Sequence, residues 1–251
     1  MLDNFVNQNQ YGTSTKAMSS DFFRSVYSYM FIALAISGGI AYYIGTSEIV
    51  VFPDGVKLPS LFADLFYSGN RFSTTFYIVM FTPVALGWII QSSYNRFSMG
   101  TLFLLYGLYS ALLGMSLSTI FVAYDIASIA STFFVSAGAF AGMAILGYTT
   151  KTDLTKFGSL LYMAFIGMFI ASIVNFFMNS GTMSFIIAVI GVFVFTGLTA
   201  YQMQQLKHIS EQPGLQGADR NKLALIGGMQ LYILFINLFL SLLRIMGGNR
   251  D

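Results

Sequence analysis

The chain has 251 residues, 56% of them hydrophobic and only 9% charged, with a net charge of +2 and a mean hydropathy of +0.71. A soluble domain carries about 25% charged residues. Here the apolar residues are too many for one buried core, so the outer surface is expected to be apolar as well, as in a protein whose solvent is lipid. The near-neutral charge and the lack of a basic run exclude a nucleic-acid partner. With no cysteine, disulfides, thiolate metal sites and cysteine nucleophiles are excluded, and the single His208 cannot build a histidine metal cluster. There is no G-x-S-x-G elbow, no H-E-x-x-H and no phosphate-cradling P-loop. No enzymatic activity, cofactor or metal is therefore expected.

In chain order, residues 1–20 are polar and read as a flexible N-terminal tail, with no cleaved leader ahead of them. Residues 21–248 read as a single seven-helix transmembrane domain. A span needs about 20 apolar residues to cross roughly 30 Å of hydrocarbon, and a charge at its centre is costly, so charge-free windows mark the spans. They predict helices over about 24–45, 74–93, 99–123, 126–148, 157–178, 183–205 and 223–245. The second contains Pro83, which should kink it. The fifth and sixth share one charge-free window from Lys156 to Lys207, too long for a single span, and Asn179, Ser180 and Gly181 supply the turn between them. The seventh, with a Gly227–Gly228 pair, Gln230 and Asn237, is the most polar and is expected to pack inside. Ser98 and Thr182 are the expected caps of the third and sixth helices, and Asp125 lies where the dipole of the fourth favours a carboxylate. Pro213 and Gly214 should break the chain before the seventh. The longest loop is 47–72, with Pro53, Asp54, Gly55 and Pro59.

With the N-terminus inside, the inner segments hold Lys16, Arg24, Arg96, Lys151, Lys156, Lys207, Arg220 and Lys222, and the outer ones only Lys57, Arg71, Arg244 and Arg250. The positive-inside rule thus predicts a cytoplasmic N-terminus. Arg244 and Arg250 argue against an outside C-terminus, and a seventh helix that stops short of crossing would resolve that conflict.

Small residues recur at every fourth position in helix one (Ala33, Ser37, Ala41, Gly45), in helix three (Ser110, Gly114, Ser118) and in helix four (Gly138, Gly142). Such stripes let backbones approach closely, within the chain or across a homodimer, and packing within the chain is the expected use. Tyr42, Tyr43, Tyr94, Tyr124 and Tyr148 fall near helix ends, as interfacial belts require.

The segment FRSVYSYMFIALAISGGIAYYIG, continued by LYSALLGMSLSTIF, ASIASTFFVSAGAFAGMAILGYTTKTDL, GSLLYMAFIGMFIASIVNFF, GVFVFTGLTAYQMQQLKHI and LYILFINLFLSLLRIMGG, resembles the bacterial branch of the Bax inhibitor-1 family. The resemblance spans residues of about 22 to 248. It implies an all-α polytopic membrane protein, a seven-helix bundle with the seventh helix central, in the bacterial cytoplasmic (inner) membrane. Members are described as cytoprotective, several as pH-sensitive calcium leaks, and some bacterial members associate with a membrane-anchored ATP-dependent protease.

In that family the leak is attributed to two facing carboxylates that share a proton. Such a pair cannot doubly ionise cheaply, and once deprotonated it offers oxygen ligands to calcium. The family pattern puts one aspartate directly after G-L-T-A-Y and the other directly before F-I-N-L-F. Here those positions are Gln202 and Leu234. The resemblance therefore implies a member whose sensor positions are degenerate.

Two roles follow as expectations: a membrane-embedded modulator or accessory subunit of another membrane protein, such as a membrane-anchored protease or transport complex, or a leak not gated by the carboxylate latch. Candidate core polar residues are Asn175, Gln230, Asn237 and Arg244. The first three could line a path or simply bond helices together. Arg244 could snorkel to the interface, bind lipid phosphate, or hold carbonyls at its helix terminus.

Overall fold

The structure, a computed structural model, describes residues 2–52, 55–68, 71–212 and 217–248, with backbone alone for residues 2–18 and Ser68. The turn residues Pro53, Asp54, Pro213 and Gly214 and the terminal Arg250 lie outside the described residues. The elements are α1 (Leu2–Gly45), β1 (Ile49–Val51), β2 (Lys57–Pro59), α2 (Ser60–Phe66), β3 (Tyr67–Ser68), β4 (Arg71–Phe72), α3 (Thr74–Ser93), α4 (Met99–Leu117), α5 (Ile120–Ala123), α6 (Ile126–Thr149), α7 (Thr155–Met178), α8 (Gly181–Ser210) and α9 (Gly217–Met246). Among the described residues, seven segments are helical, long and apolar enough to cross a membrane: Ser19–Gly45, Thr74–Ser93, Met99–Ala123, Ile126–Thr149, Thr155–Met178, Gly181–Ser210 and Gly217–Met246. The fold is all-α, polytopic and membrane-spanning.

Several helices run past the charge-free windows. α8 continues through Lys207 and His208, and α9 begins before Asp219, Arg220 and Lys222. Charge-free windows mark only the part of a helix inside hydrocarbon, and the helix itself persists into the headgroup layer. Residues 2–20, read from their polarity as a tail, carry helical backbone continuous with α1. They contain no proline and a single glycine, so nothing in them stops a helix already nucleated by the apolar span.

The chain divides into two compact units. The first comprises residues 1–30 and 136–241, hence the start of α1, the end of α6, α7, α8 and most of α9. Its helices meet at glycines. A methyl group at Gly147 of α6 would overlap the Ala200 carbonyl of α8. One at Gly228 of α9 would lie 2.6 Å from the Val26 carbonyl oxygen of α1. α7 and α8 are joined at Asn179, whose φ of 49° is left-handed and whose N–H donates to the Asn175 carbonyl at 2.7 Å. Thr182 is not the cap: α8 starts at Gly181, and Ser180 Oγ accepts from Met183 N at 3.3 Å. The turn is two residues tighter than expected because Asn179 closes α7 by itself.

The second unit comprises residues 31–135 and 242–251. Segment 47–72 is not a plain loop. β1 pairs antiparallel with β2 (Val50 opposite Leu58), β3 pairs with β4, and α2 lies between the hairpins in sequence. Leu58, Phe62, Ala63 and Phe66 form a core there with Ile44 and Val79. Strands of two or three residues are too short for alternation to reveal. Pro83 lies within a continuous α3, where it removes the N–H that would bond the Val79 carbonyl. Ser116 Oγ of α4 donates to that carbonyl at 3.0 Å instead. Ser98 caps α4, its Oγ accepting from Thr101 N at 3.1 Å.

The helix-one and helix-three stripes pack within this unit. Ala33, Ser37, Ala41, Ser110 and Ser118 are buried, and Gly114 faces the Ser37 carbonyl. The helix-four stripe in the first unit differs: a side chain at Gly138 or Gly142 would meet nothing within 4 Å.

α9 is the most enclosed span, 67% buried against 11% for α7. Its 30 residues measure about 45 Å, enough to cross fully. Beyond its end Gly248 N donates to Ser128 Oγ at 3.1 Å near the start of α6, and Asp125 N donates to the Gly248 carbonyl at 3.4 Å. By length alone α9 can cross, so its length does not reconcile the charge count. Arg244 is exposed in the last turn of α9, where a cation complements the helix dipole.

Candidate functional site

Gln202 lies on α8 in the first unit and is buried. Its Nε2 donates to Gln230 Oε1 of α9 at 2.6 Å. Gln230 is half-buried. The pair is a neutral amide bridge tying α8 to the most enclosed helix.

Of the residues singled out from sequence, the structure brings together Gln202 and Gln230. Leu234 is one turn further along α9 on the same face as Gln230 and is half-buried. Gln230, the polar partner of Gln202, is therefore one helical turn from Leu234. Asn237 does not join them: its Nδ2 donates to the Ile233 carbonyl of its own helix at 2.8 Å. Asn175 is a turn clamp, donating to Ser184 Oγ at 2.7 Å and accepting from Ser180 N at 3.2 Å.

Sequence reasoning missed Gln204. It is buried, and both ends of its amide are used on the α6–α7 connection. Nε2 donates to the Thr152 carbonyl at 2.7 Å, and Oε1 accepts from Leu154 N at 2.8 Å. At about 100° per residue, two positions along a helix turn the side chain by about 200°. Gln202 thus faces α9 while Gln204 faces the connection. The adjoining Lys207 donates to the Tyr148 carbonyl at 2.9 Å and lies 5.1 Å from the centre of the Tyr148 ring, which meets Phe23 edge-on. Ser19 and Ser210 hydroxyls bond at 2.8 Å. The start of α1 and the ends of α6 and α8 therefore converge at one end of this unit. Within the same connection Asp153 Oδ1 accepts from Thr155 N at 2.9 Å. Hydrogen bonds from Thr155 hold this exposed carboxyl below its ordinary range, with smaller help from His208 and Lys156.

Among the described residues no three His, Cys, Asp or Glu side chains gather where a metal could sit. The site's chemistry is that of two amides, which bond but do not titrate. A double-mutant cycle should show it: Gln202→Leu and Gln230→Leu are expected to couple by about 0.6–1.7 kcal/mol, the range for polar pairs between membrane helices. Strict additivity in mixed-micelle unfolding would remove the bridge from the account.

The family model for inhibitors of apoptosis-promoting Bax1 matches residues 19–251. The chain is 40% identical over 226 residues to the inner membrane protein YbhL of Escherichia coli K12, covering 90% of each. It is 37% identical over 234 residues to a Borreliella burgdorferi protein, covering 93% of this chain and 94% of the relative. With a Caulobacter vibrioides protein it shares 39% identity over 236 residues, 92% of this chain and 89% of the other. A match over nearly the whole length, together with seven membrane-crossing helices, makes the chain a member of the Bax inhibitor-1 family.

Proposed function

We propose that the chain is a non-enzymatic, membrane-embedded modulator or accessory subunit of another protein in the bacterial inner membrane, with its N-terminus cytoplasmic. The Gln202–Gln230 bridge carries this reading. It ties two buried helices through Gln202, the first of the two positions at which the family resemblance puts a carboxylate, and no Asp or Glu occurs between residues 220 and 250. A fold retained without titratable groups in its centre suits a role exerted through helix surfaces rather than through ion chemistry. The name of the E. coli relative supports the inner membrane. The basic residues of the converging end, Arg24, Lys151, Lys156, Lys207, Arg220 and Lys222, support its being the cytoplasmic one.

The test is calcium flux into liposomes holding the purified protein. Flux is expected to stay level as the pH falls from 8 to 6. A steep rise on acidification would overturn the reading. Affinity purification in mild detergent supplies the complementary arm: consistent recovery as a lone monomer counts against a subunit role. A second reading, a leak controlled by neutral groups, draws on the partial exposure of Gln230. It predicts a pH-independent flux that Gln230→Leu abolishes.

A further inference from the structure

Away from the amide pair, where α1 and α9 enter their spans, the first unit holds a cleft of about 240 Å³ lined by Asp21, Phe22, Ser25, Arg220, Asn221 and Ala224, with Gly217 at its edge. That is far above the roughly 10–15 Å³ a single water requires. Arg220 is half-buried, with its guanidinium 6.0 Å from the centre of the Phe22 ring. Its Nη2 is shut off from solvent and, among the described residues, has no hydrogen-bond partner. A cationic N–H group with neither protein nor solvent to accept from it is costly, and a turn of the guanidinium into the cleft that Arg220 lines would let a ligand oxygen remove that cost. Asp21 faces the same cleft, though 3.7 Å from Arg24 it already has one cationic neighbour, and both of those side chains are largely exposed. Ser25 and Asn221 add a hydroxyl and an amide.

We propose that this cleft binds a phosphate ester carrying an amine, with Arg220 on the phosphate, Asn221 and Ser25 as supporting polar groups, and Asp21 on the ammonium. A guanidinium is the side chain best matched to phosphate oxygens. A carboxylate on the same rim disfavours a purely anionic ligand and favours a zwitterionic one. The chemistry is that of phosphoethanolamine, available as a phospholipid headgroup or as a soluble ester. The position of the cleft, at the ends of two membrane spans, favours the lipid.

The test is native mass spectrometry of the full chain released from detergent, with phosphatidylethanolamine, phosphatidylglycerol, soluble phosphoethanolamine or inorganic phosphate added separately. Phosphatidylethanolamine should be retained about tenfold better than phosphatidylglycerol. Arg220→Gln should lose that preference, while Arg220→Lys should keep part of it. Retention of soluble phosphoethanolamine in place of the lipid would support the site and assign it to a soluble ester. Asn221→Leu, at an exposed position, narrows the cleft without burying a new group and should weaken binding in a chain that remains folded. Equal retention of every probe by wild type and Arg220→Gln, or unchanged binding in Asn221→Leu, would overturn the proposal.

Discussion

Gly147→Ala is expected to destabilise the protein by about 1–3 kcal/mol, the range for forcing an extra group into a well-packed contact. The added methyl would overlap the oxygen, carbon and Cα of Ala200. All of these are backbone, so no rotamer change can relieve the overlap and α6 and α8 must separate. Separation would also disturb the neighbouring Lys207–Tyr148 contact. Gly142→Ala, five residues earlier on the same helix, is the control. Its methyl would meet nothing within 4 Å, and alanine favours a helix over glycine by about 0.8–1.0 kcal/mol. That variant should be neutral or slightly more stable. Unfolding in mixed micelles reads both. Equal effects of the two substitutions would mean that the α6–α8 approach is not a tight backbone contact.

The second large effect is expected at Gln204. Gln204→Leu removes a donor and an acceptor at once and leaves the Thr152 carbonyl and the Leu154 N–H without their side-chain partner. Each loss costs on the order of 1 kcal/mol net, so about 2 kcal/mol together. Gln204→Glu keeps an oxygen for Leu154 N but buries a charge and sets its second oxygen against the Thr152 carbonyl, so it should cost at least as much as Gln204→Leu. The connection 150–154 should open more readily, and tryptic cleavage after Lys151 should accelerate in the same order. Cleavage at the wild-type rate in Gln204→Leu would show that the connection is held by something other than this side chain.

The two glutamines also show what was legible in the sequence. Gln202 stands out because it follows the G-L-T-A-Y block, and Gln230 because it is polar in an apolar span. Their pairing was not legible, because it depends on the rotational phase of two helices 28 residues apart in sequence. By the same token Leu234, marked out by its place before F-I-N-L-F, proved to be one turn from the bridge. Gln204 was overlooked because its partners are backbone atoms of a connection, which no side-chain pattern announces. The spans themselves were plain from the charge-free windows, since burying a charge in hydrocarbon is the strongest constraint acting on this chain. Their ends were not, because helices such as α8 and α9 continue into a layer where charges cost little. The small core around Phe62 and Phe66 escaped notice because helical and strand periodicities need more residues than α2 or β1 contain.

The most enclosed helix is made after the helices it packs against. Until residue 230 leaves the ribosome, Gln202 has no amide to bond, and the surfaces of α1 and α8 that receive Gly228 and Gly227 lie open. At about 5–20 residues per second the 28 residues separating the two glutamines take roughly 1–6 s to synthesise. During that interval the nascent chain holds a polar side chain in an incomplete helical assembly, the state in which insertion factors and quality-control proteases compete for membrane proteins. A truncation before α9 should therefore yield not a six-helix protein but a substrate for degradation.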